Sequence, residues 1–122
     1  MIGVEVNNHG HAVLQELRRL CCPMLHCSRD PEAGGKTRLG WHTNAKTKPL
    51  MIDDLAAAIA QGHLLIRSSF LVDQCLTFVV KDSGDQEAQE GKSDDLVMAA
   101  AIAWQVRKRP PSRPIFVRPA GW

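Results

Sequence analysis

The apolar residues at the start of the chain change from strand spacing to helical spacing. Every second residue from Ile2 to Val6 is aliphatic, which predicts a short strand. A helical stripe follows over residues 13–21, with Asn8 as the expected N-cap and Pro23 as the end of the helix. This part of the sequence therefore predicts a strand, a tight turn and a helix.

The next region of the chain is mainly polar. Residues 24–27 predict a second short strand. Residues 28–48 are polar and contain three glycines and one proline, so they predict a long loop.

Two further helices and a hairpin are predicted after this loop. Pro49 suits the first turn of a helix whose apolar stripe ends at Gly62. Ser68 is expected to cap a second amphipathic helix. Residues 78–88 predict a small hairpin, because Ser83 and Gly84 form a turn signal between two short segments.

The last predicted helix begins after Ser93 and runs to about Arg107. Residues 96–104 within it are apolar on every side, so we expect this helix to lie at the centre of the fold against a sheet. Prolines then end the regular structure. The pattern as a whole predicts an α/β domain over residues 1–109 and a proline-rich basic tail over residues 110–122.

Length and composition limit the class of protein. A chain of 122 residues with 44% hydrophobic and 23% charged residues has room for one compact globular domain. Its longest apolar run, at residues 96–104, is much shorter than the roughly 20 residues of a membrane helix, and the N-terminus lacks a signal-peptide pattern. We therefore expect a soluble, intracellular protein without membrane partners.

The positive charges are concentrated at the end of the chain. Five bases and no acid follow residue 106, which leaves ten basic against 13 acidic residues in the rest of the chain. A basic tail of this kind is typical of proteins that bind a polyanion such as nucleic acid, and it is also typical of solubilising ends.

Two other motifs are weak. Cys21, Cys22, His26 and Cys27 are metal-ligand types without paired CxxC spacing, so reduced thiols are expected rather than a zinc site or a disulfide framework. The segment Gly34-Gly35-Lys36-Thr37 is similar to the end of a phosphate-binding loop. Its spacing puts an aspartate where the first glycine belongs, and no helix is predicted after it, which argues against nucleotide binding.

Three carboxylates are candidates for chemistry. Glu5 lies on the predicted first strand, and Asp94 and Asp95 open the predicted apolar helix. A solvated strand residue and an acidic first helical turn are the structural explanations, since a helix N-terminus stabilises negative charge. Carboxylates on rigid elements beside a core are also what a hard divalent cation requires. Convergence of these three side chains on Mg²⁺ or Mn²⁺ is the functional hypothesis.

Four segments resemble, in order and spacing, the nuclease domain of tailed-phage terminase large subunits. They are Val4-Glu5-Val6-Asn7-Asn8-His9-Gly10-His11, then Leu39-Gly40-Trp41-His42-Thr43-Asn44 with Thr47-Lys48-Pro49, then Gln86-Glu87-Ala88, then Gly91-Lys92-Ser93-Asp94-Asp95-Leu96-Val97-Met98-Ala99. The resemblance covers residues 1 to about 107 and leaves the tail unexplained.

The resemblance implies a ribonuclease-H-like fold and an endonuclease that cuts concatemeric phage DNA with one or two divalent metal ions. By position, Glu5 matches the family's strand carboxylate, and Asp94 and Asp95 match its acidic pair. The sequence differs from the family in having Ser93 for a usual histidine and Gln74 for a usual glutamate. Neither replacement removes an expected metal ligand.

The family's first catalytic aspartate lies on a strand that would precede residue 1. The chain is therefore expected to correspond to the C-terminal part of the nuclease domain, with an incomplete, short mixed sheet and an exposed edge at residues 2–6. That edge could support a homo-oligomer. A chain of this kind would be either a deliberate fragment or a truncated prophage gene product, and its isolated activity should be weak or absent.

Partners and location follow from the same resemblance. Double-stranded DNA is the expected substrate, other terminase or portal components are possible partners, and the bacterial cytoplasm is the expected location. The candidate phosphate contacts are Lys36, Arg38, Lys46 and Lys48. The alternative is a catalytically inactive remnant that binds DNA or a packaging partner.

Overall fold

A computed structural model describes residues 1–7, 9–30 and 34–108, without the side chain of Asp30. The chain is α/β, with four helices and two antiparallel sheets of two strands each within these residues. The elements are α1 (Gly10–Arg19), β1 (Cys27–Asp30), β2 (Lys36–Leu39), α2 (Thr47–Ala60), α3 (Ser69–Leu76), β3 (Phe78–Val80), β4 (Gln86–Ala88) and α4 (Asp95–Arg107).

The chain divides into two compact units, where its length predicted one domain. The first unit comprises residues 1–43 and the stretch that begins at Val106, and the second comprises Asn44–Gln105. The division falls near the end of α4. The predicted boundary between residues 109 and 110 lies outside the described residues, as does the tail itself.

Residues 2–6 of the first unit are paired at two points and do not form a continuous strand. The Ile2 N–H donates to the Met24 carbonyl at 2.9 Å, and the Val6 N–H donates to the Trp41 carbonyl at 2.7 Å. The resulting bridges are isolated and parallel, to Leu25 and to Trp41. The second predicted strand is also displaced, because regular pairing begins only at Cys27.

The predicted long loop at residues 28–48 is wrong, because it contains a hairpin. Strands β1 and β2 pair antiparallel from Cys27 opposite Leu39 to Asp30 opposite Lys36. Lys36 begins a strand here, so the glycine-rich segment before it is not followed by a helix. The hairpin was missed because its strands are mostly polar and have little hydrophobic alternation.

Gly40 and the start of α1 both lie close to residues 4–7. A side chain at Gly40 would lie 2.5 Å from Val6 Cγ2, and its φ of +87° also favours glycine. The predicted cap of α1, Asn8, lies outside the described residues. Asn7 provides the capping bond, since its Oδ1 accepts from the Gly10 N–H at 2.8 Å.

The second unit begins with a reciprocal cap on α2. The Asn44 side chain accepts from the N–H groups of Lys46 and Thr47 at 2.9 Å, and Thr47 Oγ1 accepts from the Asn44 N–H at 2.9 Å. The predicted apolar stripe of this helix is confirmed. Its fully buried members are Met51, Ile52, Leu55 and Ala58.

Helix α3 has eight residues and does not bury an apolar side, as the predicted amphipathic helix would. Ser68 caps it as predicted, accepting from the Leu71 N–H at 3.4 Å. None of its residues is fully buried, and Phe70 is 75% exposed. The predicted hairpin that follows is confirmed as β3 and β4, with Phe78 opposite Ala88.

Helix α4 begins and ends close to its predicted limits, but it is not buried on every side. Val97, Ala101 and Ile102 are buried, whereas Leu96 is 40% exposed and Ala103 is also exposed. Alternation of buried and exposed positions at helical spacing gives α4 one solvent-facing side. None of the described helices has the length and hydropathy needed to cross a membrane.

Candidate metal and nucleic-acid site

Glu5 occupies a closely packed position in the first unit. It is half-buried, forms a parallel bridge with Trp41, and its Oε2 accepts from Asn7 Nδ2 at 3.3 Å. A side chain at Gly10 would come within 1.8 Å of the Glu5 carbonyl oxygen. Asn7, Gly10 and Trp41 all belong to the segments that resemble the terminase family, and here they fix the backbone around the carboxylate.

Asp94 and Asp95 lie at the start of α4 in the second unit. The Asp94 carbonyl accepts the N–H of Met98 at 2.9 Å, which is the first hydrogen bond of the helix. Ser93 Oγ donates to Asp95 Oδ2 at 2.8 Å and accepts from the Asp95 N–H at 3.4 Å. Asp94 is half-buried and Asp95 is exposed, so the two carboxylates have different surroundings.

Lys48 pairs with Asp94 within the second unit. The Lys48 Nζ lies 3.9 Å from Asp94 Oδ2, and the two side chains are 31% and 29% exposed. Lys48 belongs to the first turn of α2, in the Thr47-Lys48-Pro49 segment. Two segments singled out in the sequence are therefore brought together by the fold.

A third segment of the resemblance lines a cavity that Lys48 also lines. The cavity of about 150 Å³ is bounded by Lys48 and Pro49 from α2 and by Gln86 and Glu87 from β4. Gln86 is held in place by its Nε2, which donates to Asp53 Oδ1 of α2 at 2.9 Å. Its own Oε1 is buried and has no hydrogen-bond partner within the described residues.

Glu87 forms an ion pair with a lysine that directly follows the opposite strand. Lys81 and Glu87 form an ion pair, and this hydrogen bond raises the pKa of the Lys81 ammonium. The charge of Glu87 is thus partly neutralised by Lys81. Among the residues that line the cavity, Lys48 is the cation, and it also lies beside Asp94.

The four candidate phosphate contacts fall into two pairs. Lys36 and Arg38 project from exposed positions two residues apart on β2, so they share one face of that strand in the first unit. Lys46 and Lys48 lie at the start of α2 in the second unit. The fold therefore divides these bases between the units in the same way as the carboxylates.

The sequence-predicted metal ligands are distributed over both units. Glu5 belongs to the first, and Asp94 and Asp95 belong to the second. Within the residues that the structure describes, no three His, Cys, Asp or Glu side chains are grouped closely enough to hold a metal ion. The four cysteines are free, and burial raises the pKa of the Cys27 and Cys75 thiols.

Sequence reasoning did not identify Gln74 or Gln86 as site residues. Gln74 Oε1 accepts the Leu96 N–H at 2.7 Å, which connects α3 to the first turn of α4. No local spacing rule could have found this bond, because its partners belong to different helices. Gln86 was part of a recognised segment, but its contact with Asp53 depends on tertiary packing.

Comparisons with known proteins give no relatives. No family model, no curated protein and no solved structure matches the chain. The interpretation of the site consequently depends on its own residues and on the four segments described above.

Proposed function

We propose that this chain is part of a ribonuclease-H-like, metal-dependent DNA endonuclease of the terminase large-subunit type. The observation that carries the proposal is the proximity of Lys48 to Asp94. These residues come from two separate segments of the resemblance, and a third segment shares a cavity with Lys48. A chance similarity of short motifs would give no reason for these segments to meet.

In this proposal, the carboxylates of Asp94 and Asp95 hold Mg²⁺ or Mn²⁺ in the second unit, and Glu5 of the first unit stays a ligand expected from the sequence. Carboxylate oxygens are the donors that these ions prefer, and a magnesium ion is commonly held by one or two carboxylates plus substrate phosphates. The ions would activate water and stabilise the leaving oxygen of the phosphodiester. Because few protein ligands are gathered within the second unit alone, the phosphates of DNA are expected to complete the coordination.

The lysines have a separate role. Lys48 is close enough to Asp94 to contact a phosphate bound there, and Lys46 lies two residues away on the same helix start. Lys36 and Arg38 would contact the DNA backbone from the first unit. The proposed substrate is double-stranded DNA during genome packaging in the cytoplasm of a bacterial host, with other terminase or portal components as partners.

The experiment measures binding of a fluorescent DNA duplex to residues 1–122 by anisotropy, in Mn²⁺ and in EDTA. We expect Mn²⁺ to tighten binding by about tenfold, equivalent to roughly 1.4 kcal/mol. Asp94→Asn should abolish this effect, because it removes a charged ligand while preserving shape. Asp82→Asn is the matched control, since Asp82 is exposed on the β3–β4 turn.

The same titration separates this proposal from an inactive module. A remnant that binds DNA only through its basic residues would bind equally well in Mn²⁺ and EDTA. Equal affinities for the wild-type protein, or an Mn²⁺ effect that persists in Asp94→Asn, would contradict the nuclease proposal.

A further inference from the structure

The first turn of α4 has an unusual arrangement of hydrogen-bond acceptors. Asp94 is the N-cap residue by its backbone, because its carbonyl accepts the first helical N–H. An aspartate at this position normally turns its carboxylate back to accept the N–H two or three residues later. Here those N–H groups belong to Leu96 and Val97.

The N–H of Leu96 is satisfied by a different residue. Gln74 Oε1, from the half-buried side chain on α3, accepts it at 2.7 Å. The next acceptor, Ser93 Oγ, takes the Asp95 N–H at 3.4 Å. Within the described residues, the Asp94 carboxylate accepts no backbone N–H of α4 and lies instead 3.9 Å from Lys48.

We propose that Gln74 is a positioning residue that caps α4 in place of Asp94 and so keeps the Asp94 carboxylate available to a ligand. A side-chain cap changes the folding equilibrium of typical helices by about fivefold, which is enough to decide the side-chain orientation of an aspartate. An amide performs this role without placing a further negative charge beside Asp94 and Asp95. A glutamate at the same position would accept the same N–H but would add that charge.

The part of this inference that rests on the proposed function is the availability of the Asp94 carboxylate to a ligand. The capping part concerns the metal-free protein and is tested without DNA or metal. Removal of the Gln74 oxygen should release the Leu96 N–H, and the N-cap position of Asp94 makes its carboxylate the expected replacement acceptor. Asp94 would then turn from Lys48 towards its own helix.

The first test is a double-mutant cycle in unfolding equilibria of the full chain. Gln74→Leu alone should have a small effect, because Asp94 takes over the cap. Asp94→Ala alone should also be mild, since Gln74 still caps the helix. The double variant should raise the unfolding equilibrium constant by at least about fivefold more than the product of the single effects. Independent, multiplicative effects would overturn the proposal.

Amide hydrogen exchange identifies the acceptor directly, including in variants of low stability. The Leu96 amide should stay protected in Gln74→Leu and lose protection only when Asp94→Ala is added. Gln74→Glu should keep the amide protected in both backgrounds. Gln15→Leu, at an exposed position of α1, is the control for loss of a helical glutamine. Loss of protection in Gln74→Leu alone would show that Asp94 does not replace the cap.

Metal binding then tests the consequence for the site. Gln74→Leu should reduce severalfold the ratio of DNA affinity in Mn²⁺ to DNA affinity in EDTA. If the wild-type protein shows no Mn²⁺ effect, the proposed function fails while the capping cycle still decides the structural claim. If the wild-type responds to Mn²⁺ and Gln74→Leu responds equally, the positioning role is wrong.

Discussion

The Nζ of Lys48, in the first turn of α2, lies 3.9 Å from the Oδ2 of Asp94, the N-cap residue of α4. Both side chains are about one-third exposed, and ion pairs at such positions contribute roughly 0–1 kcal/mol to stability. The pair is therefore a poor explanation for the fold. The pair matters for the proposed function, because it places a cation beside a carboxylate that accepts no N–H of its own helix within the described residues.

Lys48 should contribute to DNA binding through one phosphate contact. Lys48→Met is expected to weaken binding and to reduce the slope of log affinity against log salt by about 1. Fluorescence anisotropy over a series of NaCl concentrations measures this slope. Arg67→Met, at an exposed site of the second unit, is the control for the same loss of charge. An equal change in both variants would show that only net charge matters.

Gly40 should resist substitution more strongly than another glycine of similar backbone conformation. Gly40→Ala places a methyl group 2.5 Å from Val6 Cγ2 and 2.8 Å from the Val4 carbonyl oxygen. Gly35→Ala has a similar positive φ of +76° with no atom within 4 Å. Overpacking should make Gly40→Ala less stable by an additional ~1–3 kcal/mol in urea unfolding. Equal losses would contradict the close approach of residues 4–6 to Gly40.

Asn44 should stabilise α2 through its side-chain oxygen. Asn44→Ala removes the acceptor for two N–H groups and is expected to cost about 1 kcal/mol. Asn44→Asp keeps the acceptor and should retain most of the stability. Urea unfolding followed by helical circular dichroism measures both changes. A fully stable Asn44→Ala variant would show that the Asn44 side-chain oxygen does not stabilise α2.

The local range of helix caps explains which parts of the fold were accessible from sequence. Ser68 correctly marked the start of α3, because capping acts within one turn of the chain, whereas Ser93, the predicted cap of α4, precedes the N-cap residue Asp94 by one position. The β1–β2 hairpin was missed because polar strands carry no hydrophobic period. The bond from Gln74 to Leu96 was missed because it joins two helices, and the spacing of residues along the chain carries no signal for it.

The thiols of Cys27 and Cys75 should react slowly in the folded protein. Burial raises the pKa of both thiols, so less of the reactive thiolate is present at a given pH. Alkylation by iodoacetamide at pH 8, followed by mass spectrometry, should label Cys21 first, because it is exposed. Unfolding in urea should remove the difference in alkylation rate between Cys21 and the thiols of Cys27 and Cys75. Since the folded state favours the protonated thiols, their contribution to stability should fall as the pH rises through the raised values.

The central proposal is that Asp94 and Asp95 hold one or two metal ions on DNA. Paramagnetic broadening by substoichiometric Mn²⁺ tests it most directly, in NMR spectra of the chain bound to a DNA duplex. The account predicts that the amides of these two residues broaden first and together, ahead of Asp73 and Asp82, which are exposed carboxylates without a proposed role. Broadening that follows surface carboxylates without preference would contradict the proposed site.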